Sequence, residues 1–268
     1  MEYLINLAQA LSYVIIAMVI LLSINKLTAM KTRTMALAFR QGGLFLGSAL
    51  ALYGVLHGYS RGYFEDLQLI AFYGIFSTLG IFLSLYINNK IILPRINNTE
   101  SIAKNNVAVG LTEFGTTLGT GFIMMGAMTG DGSLLTAVVF FLLGQVMLVA
   151  IAYVYEYITP YNVVNAVSNN NVSAGIMLGG VQIAMGILLS HAVSGDFVNW
   201  TQDLTGFAVS AISGVLLIGV LFNKFIDKIF LPHVKVNEEI IEGTHTADIT
   251  LAAIVKISLA ILVSSVLL

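Results

Sequence analysis

Two ionisable side chains, Glu113 and Lys256, stand inside long apolar stretches of this sequence. An ionisable group near the middle of a bilayer costs about 3 kcal/mol on insertion scales, so such residues mark ion paths, proton relays or buried pairs. Lys256 lies about 10 residues into its stretch, which places it about 15 Å deep at 1.5 Å per residue. At that depth its ammonium is too far from either surface to reach water easily.

An internal repeat, described below, places Thr117 and Gln182 at positions that correspond to Lys256, with Leu52 as the fourth equivalent. Glu113 precedes Thr117 by one helical turn and therefore lies on the same helix face. We therefore predict an intramembrane polar layer that contains Glu113, Thr117, Gln182 and Lys256. The specific hypothesis is an ion pair between Glu113 and Lys256.

This polar layer has three interpretations. As structural groups, the side chains would form an ion pair and hydrogen bonds that hold helices together, which is common in membrane proteins. As functional groups, they would relay a proton or an ion, or contact a solute. In the third interpretation, Lys256 contacts lipid headgroups or a partner protein.

The composition excludes most soluble functions. Hydrophobic residues make up 57% of the 268 residues and charged residues only 10%, with a mean hydropathy of +0.90, so there is too little charge to cover a soluble surface. The net charge of -2 gives no sign of nucleic acid as a partner. The chain has no cysteine, and its four histidines are not spaced as metal ligands, so we expect no metal site and no cofactor. Nucleotide-binding and hydrolase motifs are absent from the sequence, and we expect no enzymatic activity.

Runs of about 20 apolar residues, long enough to cross the hydrocarbon core, predict an all-α polytopic bundle. We number the runs as spans 1 to 8. They cover residues 5–25, 42–58, 68–88, 107–128, 134–157, 172–192, 204–225 and 246–267.

Basic residues cluster in the loops that follow odd-numbered spans. By the positive-inside rule these loops are cytoplasmic, which places both termini on the outer face. The loop after span 5 has no Lys or Arg and is placed by parity alone. The basic residues counted are Lys26, Lys31, Arg33, Arg40, Lys90, Arg95, Lys104, Lys224, Lys228 and Lys235, with Arg61 as the exception in an outer loop.

Segments 105–111 and 170–176 are near-identical, and each opens an even-numbered span. Asn106 and Asn171 can cap the first turns of these spans. Segments 90–94 and 228–232 match as well and end spans 3 and 7 with a proline. The pattern therefore predicts four copies of a two-span unit that all enter the membrane in the same direction. In the first copy, residues 40–43 occupy the place of the asparagine pair.

Small residues recur at four-residue spacing in three even-numbered spans, and this spacing is typical of closely packed membrane helices. The glycines that we expect to pack against neighbouring helices are Gly43, Gly47, Gly115, Gly119, Gly175 and Gly179.

Residues 158–180 carry the clearest family resemblance. Thr159-Pro160-Tyr161, the asparagines before span 6 and Gly179-Gly180 resemble the turn-proline, Asn-Ala-Ala and Gly-Gly pattern of the bacterial inner-membrane family called domain of unknown function 350 (DUF350). One domain of that family has four spans, so the resemblance implies two tandem domains, at 1–130 and 131–268. It implies no chemistry, although some members resemble components of gene clusters concerned with membrane stress.

Two functions remain open. The first is a structural or adaptor component of the membrane, forming a homo-oligomer or binding a membrane protein partner, with the lipid bilayer as its surroundings. The second is a channel or transporter for an ion or small solute that uses Glu113 and Lys256. We favour the first, because a water-lined route would show more polar residues on a helix face.

Overall fold

The computed structural model describes residues 2–30, 33–57, 62–129, 132–243 and 245–266, without the side chains of residues 2–6. Over this part of the chain it contains helices and no strands, and eight of its helices are long and apolar enough to cross a membrane. The predicted all-α bundle of eight spans is therefore confirmed. The spans are Glu2–Thr28, Met35–Leu56, Tyr63–Ile92, Val107–Met128, Leu134–Ile158, Val172–Ala192, Trp200–Phe230 and Thr246–Ser264.

Three short helices, which the sequence did not predict, lie in the loops before spans 4, 6 and 8. We call them the first, second and third linker helices; they are Asn98–Ala103, Val163–Ser168 and Val236–Glu242. Each turns two side chains inward, four residues apart, so that one face of the helix is buried against the bundle. These buried pairs are Asn98 with Ile102, Val163 with Val167, and Val236 with Ile240.

Spans 2, 4, 6 and 8 form one row in which all four helices run in the same direction. Between spans 2 and 4, Ala36 meets Gly110 at one end and Gly54 meets Met125 at the other, so the contact positions rise together along both helices. Spans 4 and 6 show the same order, as do spans 6 and 8. The prediction of parallel two-helix repeats is confirmed.

Glycines allow the backbones of this row to touch. A Cβ on Gly115 would overlap the backbone of Gly179, and one on Gly119 would lie 2.6 Å from the carbonyl oxygen of Gln182. Because lipid provides no hydrophobic force between helices, such close backbone approach is what holds them together. The remaining glycines of the set approach a neighbouring backbone in the same way: Gly43 and Gly47 face span 4, and Gly175 and Gly179 face span 4 from the other side.

Spans 1, 3, 5 and 7 lie against this row. Span 3 contacts spans 2 and 4, span 5 contacts spans 4 and 6, and span 7 contacts spans 6 and 8. Span 6 has neighbours on several sides, and 89% of the residues in its most apolar stretch are buried. In span 1, at the edge, the share is 6%. The apolar side chains that remain exposed on the odd spans are suited to lipid.

One end of the bundle carries the loops that follow odd spans, and we call it the basic end. Here Asn106 caps its own span by accepting a hydrogen bond from Val109 N at 3.0 Å, and its amide donates to the last two carbonyls of the second linker helix. Asn105, with φ of 62°, accepts from Ala36 N in the preceding even span at 3.2 Å. The asparagine pair therefore ties two even spans and one linker helix together.

The next copy repeats this arrangement. Asn170, with φ of 61°, accepts from Ala108 N, while Asn171 caps span 6 and donates to Ile240 O of the third linker helix. The loop after span 5, which has no Lys or Arg, therefore lies at the same end as the basic loops.

In the first copy, Thr34 takes the place of the capping asparagine. Its hydroxyl accepts from Leu37 N and donates to Ile102 O of the first linker helix. Residues 40–43 are therefore not the equivalents of the asparagines, and the predicted alignment of the first copy was wrong by about two helical turns. Counted from Thr34, the position in span 2 that corresponds to Lys256 is Phe45.

Span 2 begins at Met35 and not at residue 42. Arg40 therefore lies inside the span, and its assignment to a cytoplasmic loop was wrong. The apolar count failed here because Arg40 and Gln41 interrupt the run of hydrophobic residues. Lys31 and Arg61, which entered the prediction of orientation, lie outside the described residues.

We predict that Gly115→Ala destabilises the bundle, because its Cβ has no space beside Gly179. Overpacking of this kind costs about 1–3 kcal/mol. Gly206→Ala is the matched control, since nothing lies within 4 Å of a Cβ at this lipid-facing position of span 7. Thermal unfolding of both variants in detergent checks the prediction, and equal midpoints would contradict it.

We predict that Asn106→Ala loosens the second linker helix. It removes a cap worth about 1 kcal/mol and the two hydrogen bonds to the last carbonyls of that helix, worth about 1 kcal/mol each. Hydrogen exchange of residues 163–168 should speed up. Asn97→Ala is the control, because Asn97 caps its own linker helix through a hydrogen bond from Glu100 N and makes no such bond to the second linker helix. An equal effect of Asn97→Ala on residues 163–168 would contradict the prediction.

Candidate functional site

A buried ion pair joins spans 2 and 4 near the basic end. Arg40 Nε lies 3.2 Å from Glu113 Oε2, with side chains that are 15% and 1% exposed. The parallel register of the two spans brings these positions together, and each lies about 8–9 Å from the start of its helix. Because side chains in a helix tilt toward its N-terminus, both groups point toward the basic end.

Two asparagines extend this ion pair into a network. Asn98 of the first linker helix donates through Nδ2 to Glu113 Oε1 and to Asn88 Oδ1, each at 2.9 Å. Asn88 in turn donates to Thr116 Oγ1 at 2.7 Å. Both groups that face Asn98 Nδ2 are acceptors, so the orientation of the Asn98 amide is fixed.

Three buried polar atoms of the network lack an aligned hydrogen-bond partner among the described residues: Arg40 Nε, Glu113 Oε2 and Asn98 Oδ1. The contact between Arg40 and Glu113 is close enough for an ion pair, but its angle does not make a hydrogen bond. Unpaired buried polar atoms are uncommon and costly. Two of the three are acceptors, so the network has spare capacity to accept hydrogen bonds.

A cavity of about 380 Å³ opens beside this network. Its polar wall consists of Arg40, Asn89, Asn98, Thr99 and Glu113. The opposite wall is largely apolar and comes from the ends of spans 1 and 3 and the turn after span 1: Leu27, Thr28, Ala29, Met30, Phe82, Leu85 and Tyr86. The volume falls in the range of small-ligand sites.

Three polar residues of this cavity, Arg40, Asn98 and Glu113, have uncharged counterparts in the other repeats. Where the first linker helix has Asn98, the second and third have Val163 and Val236, all buried. Glu113 corresponds to Leu178 and Ala252 in spans 6 and 8. Arg40 corresponds to Thr112 and Met177 in spans 4 and 6. The cavity at the next repeat, of about 200 Å³, has Val163 and Leu178 at these positions, and its polar lining comes from Arg95, Glu156 and Asn162. The fold therefore does not require polar groups at these positions.

Lys256 forms a second, separate site. Its side chain is fully buried, and Nζ donates to Asn223 Oδ1 of span 7 at 2.7 Å. The ammonium also lies 5.6 Å from the ring centroid of Tyr155, a distance that allows a cation–π contact. Because span 8 begins at the basic end, Lys256 points toward that end and reaches Asn223, about 10 Å from the end of span 7.

Tyr155, which lies beside Lys256, is paired with a second tyrosine. The hydroxyls of Tyr155 and Tyr161 are 2.9 Å apart. Tyr161 lies in the loop after span 5, and burial raises its pKa to about 12, with the nearby Glu156 charge also raising the pKa and the hydrogen bond to Tyr155 opposing the shift. The Tyr161 phenol therefore stays neutral at ordinary pH and acts as a hydrogen-bonding group.

The predicted ion pair between Glu113 and Lys256 is wrong. Glu113 pairs with Arg40 and Asn98, whereas Lys256 pairs with Asn223. The reason is the order of the row, in which span 6 separates spans 4 and 8.

The other two members of the predicted layer also have separate partners. Thr117 donates to the carbonyl of Glu113 in its own helix at 2.7 Å, and Gln182 donates to Leu148 O of span 5 at 3.0 Å. Gln182 and Lys256 therefore make equivalent contacts, each with the odd span of its own unit. The layer is a shared repeat position, not a set of side chains in mutual contact.

Sequence reasoning missed Arg40, Asn88, Asn98 and Asn223 as site residues. Asn88 and Asn223 lie near the ends of spans 3 and 7, where polar residues look like the start of a loop. Asn88 begins a wide turn in which Leu93 N donates to Asn88 O, five residues back. Wide turns of this kind are common at functional sites, but they leave no clear mark in a sequence.

Comparison with known proteins supports the membrane assignment. A family model described as Domain of Unknown Function (DUF350) matches residues 3–128 and 131–267. A relative named "UPF0719 transmembrane protein", from Aquifex aeolicus (strain VF5), is 26% identical over 226 residues, which cover 82% of this chain and 82% of the relative. No solved structure matches. The chain therefore belongs to the DUF350 family of membrane proteins, with two tandem segments that match it.

Proposed function

We propose that this protein is a structural or adaptor component of the membrane and not an enzyme. The observation that carries the proposal is the tight row of even spans, in which glycines bring the backbones of spans 2, 4 and 6 together and Gly180 of span 6 packs against Ala253 of span 8. Such contacts leave no room for water between the helices of the row. They favour a rigid body over one that must open and close.

The separation of the charged sites supports the same proposal. A transport path needs polar groups that follow one another across the membrane. Glu113 and Lys256 instead belong to different networks, both directed toward the basic end. A structural link between neighbouring helices is therefore a simpler explanation of each network than a transport path.

The partners that this proposal implies are lipid and protein. Lysines and arginines near a membrane surface attract anionic headgroups by about 1 kcal/mol each. The basic end carries such residues in the loops after spans 1, 3 and 7. We therefore place this end in the cytoplasm of a bacterial cell, with both termini outside, and expect a homo-oligomer or a membrane protein partner. A role in membrane stress remains a prediction from the family resemblance.

One observation favours the channel or transporter as a second candidate. Span 4 carries buried Thr112, Thr116 and Thr120 on one face, and Thr120 and Gln145 hydrogen-bond to each other, at 3.2 and 3.3 Å. This polar line runs from the Glu113 network to about 20 Å from the start of the span. Buried Ile123 and Met124 follow it, so the line ends in apolar packing.

We expect the purified chain in proteoliposomes to conduct protons, K⁺, Na⁺ and Cl⁻ no faster than protein-free liposomes. Dye-based flux assays with each ion in turn provide the measurement. A specific flux that is lost in both Glu113→Gln and Lys256→Met would overturn the structural proposal in favour of transport. A flux that both variants retain would reveal a path outside these residues, and the structural proposal would fail in that case too.

We expect Asn223→Leu to be more destabilising than Lys256→Met. Loss of Asn223 leaves a buried ammonium without its hydrogen bond, at a cost of about 3 kcal/mol, whereas methionine fills the same space without a charge. The double variant should recover most of the stability lost in Asn223→Leu. Unfolding midpoints in detergent test this order, and a double variant no better than Asn223→Leu would contradict a simple structural pair.

A further inference from the structure

We infer that the cavity beside Arg40 and Glu113 binds the headgroup of a phospholipid in which a phosphate adjoins a primary ammonium. This inference goes beyond the structural role proposed above and does not depend on it. It rests on the lining of the cavity, the unpaired atoms of the network and the comparison between repeats.

The cavity is amphipathic. Arg40, Asn98 and Glu113 form one wall, and apolar side chains of spans 1 and 3 form the other. Leu27 and Tyr86 of the apolar wall are largely exposed, at 72% and 59%. A ligand with a polar head and an apolar tail would satisfy both walls, whereas a free ion would leave the apolar wall uncovered.

The position of the cavity suits a headgroup. Arg40 and Glu113 lie about 8–9 Å inside the ends of their helices. The headgroup regions of a bilayer occupy the outer part of its 40–45 Å thickness, on either side of about 30 Å of hydrocarbon. The backbones at Arg40 and Glu113 therefore lie about 6–7 Å below the edge of the hydrocarbon, but both side chains point toward the basic end, which brings their charged groups close to the headgroup of a lipid beside spans 1 and 3.

The charges match a zwitterion. The Arg40 guanidinium has five N–H donors and contacts Glu113 through Nε, so donors remain for a phosphate. Glu113 Oε2 and Asn98 Oδ1 are buried acceptors without a hydrogen bond among the described residues. A primary ammonium has three N–H donors and can supply both once these two side chains turn toward the cavity. A phosphate alone would meet the carboxylate of Glu113, which repels it.

The repeats indicate that this polar lining serves a ligand. At the equivalent positions the second repeat has Thr112, Val163 and Leu178, which pack without a buried charge. The fold therefore tolerates uncharged residues at all three positions. The Arg40–Glu113 contact lacks aligned hydrogen bonds and occurs in one copy only. Such a buried pair lowers the stability of the fold, so stability does not explain its presence. A bound zwitterion would complete its hydrogen bonds.

The experiment measures lipid binding to the delipidated full-length chain in detergent. Short-chain phosphatidylethanolamine, phosphatidylcholine and phosphatidylglycerol, and inorganic phosphate, are titrated separately, with the thermal unfolding midpoint as the readout. We expect the Kd for phosphatidylethanolamine to be about tenfold lower than for the other two lipids, the size of one charged hydrogen bond. Phosphatidylcholine has no N–H donors, and phosphatidylglycerol has no cation for Glu113. Inorganic phosphate should not bind.

Two variants test the site. The triple variant Arg40→Thr/Asn98→Val/Glu113→Leu copies the second repeat, and the double variant Arg40→Gln/Glu113→Gln keeps polar side chains while removing both charges. Each should weaken phosphatidylethanolamine binding about tenfold. Phosphatidylcholine binding should weaken less, because that lipid loses only the contact of its phosphate with Arg40. If one variant does not fold, the other decides the result.

Three results would overturn the inference. Equal binding of the three lipids would mean that the apolar wall alone attracts them. Unchanged phosphatidylethanolamine binding in either folded variant would place the lipid elsewhere. Saturable binding of inorganic phosphate that requires Arg40 would identify a site for free phosphate instead of lipid.

Discussion

Close contact between the backbones of parallel helices is the constraint on which the structure depends. Hydrocarbon solvates an apolar helix as well as another helix does, so spans associate only where their surfaces fit at short range. Glycine provides that fit at Gly115 and Gly179, where a Cβ on the first would overlap the backbone of the second. Spans 4 and 6 belong to different family segments, yet they pack as closely as spans 2 and 4, so the row continues across the middle of the chain.

The basic end carries the polar chemistry that this row cannot hold. Helix ends leave backbone N–H and carbonyl groups that need partners, and in a membrane protein these partners must come from the chain itself or from the headgroup region. Asn106 and Asn171 provide them by capping their own spans and holding the linker helices. Thr34 does the same for the first linker helix, through its hydrogen bond to Ile102 O, and thereby helps to hold Asn98 against Glu113.

Repetition and divergence have separate roles in this molecule. The shared features, which are the caps, the linker helices and the glycine contacts, build the same framework in successive copies. The features that differ, such as Glu113 in span 4 against Leu178 in span 6, add charge to single copies without altering the framework. Lys256 follows the same rule, because it makes the contact that Gln182 makes one copy earlier.

The sequence by itself determined the eight spans, their parallel repeat and the family, because the length and polarity of a membrane helix and the caps at its ends are local properties of the chain. It placed spans 4 and 6 at their observed bounds but began span 2 too late, since Arg40 is tolerated in lipid only because Glu113 lies beside it on the neighbouring helix. Only the tertiary structure decided which polar groups meet. Glu113 joins Arg40 and Asn98, and Lys256 joins Asn223, because the order of helices in the row and the register between them depend on packing over the whole bundle, which no short segment encodes.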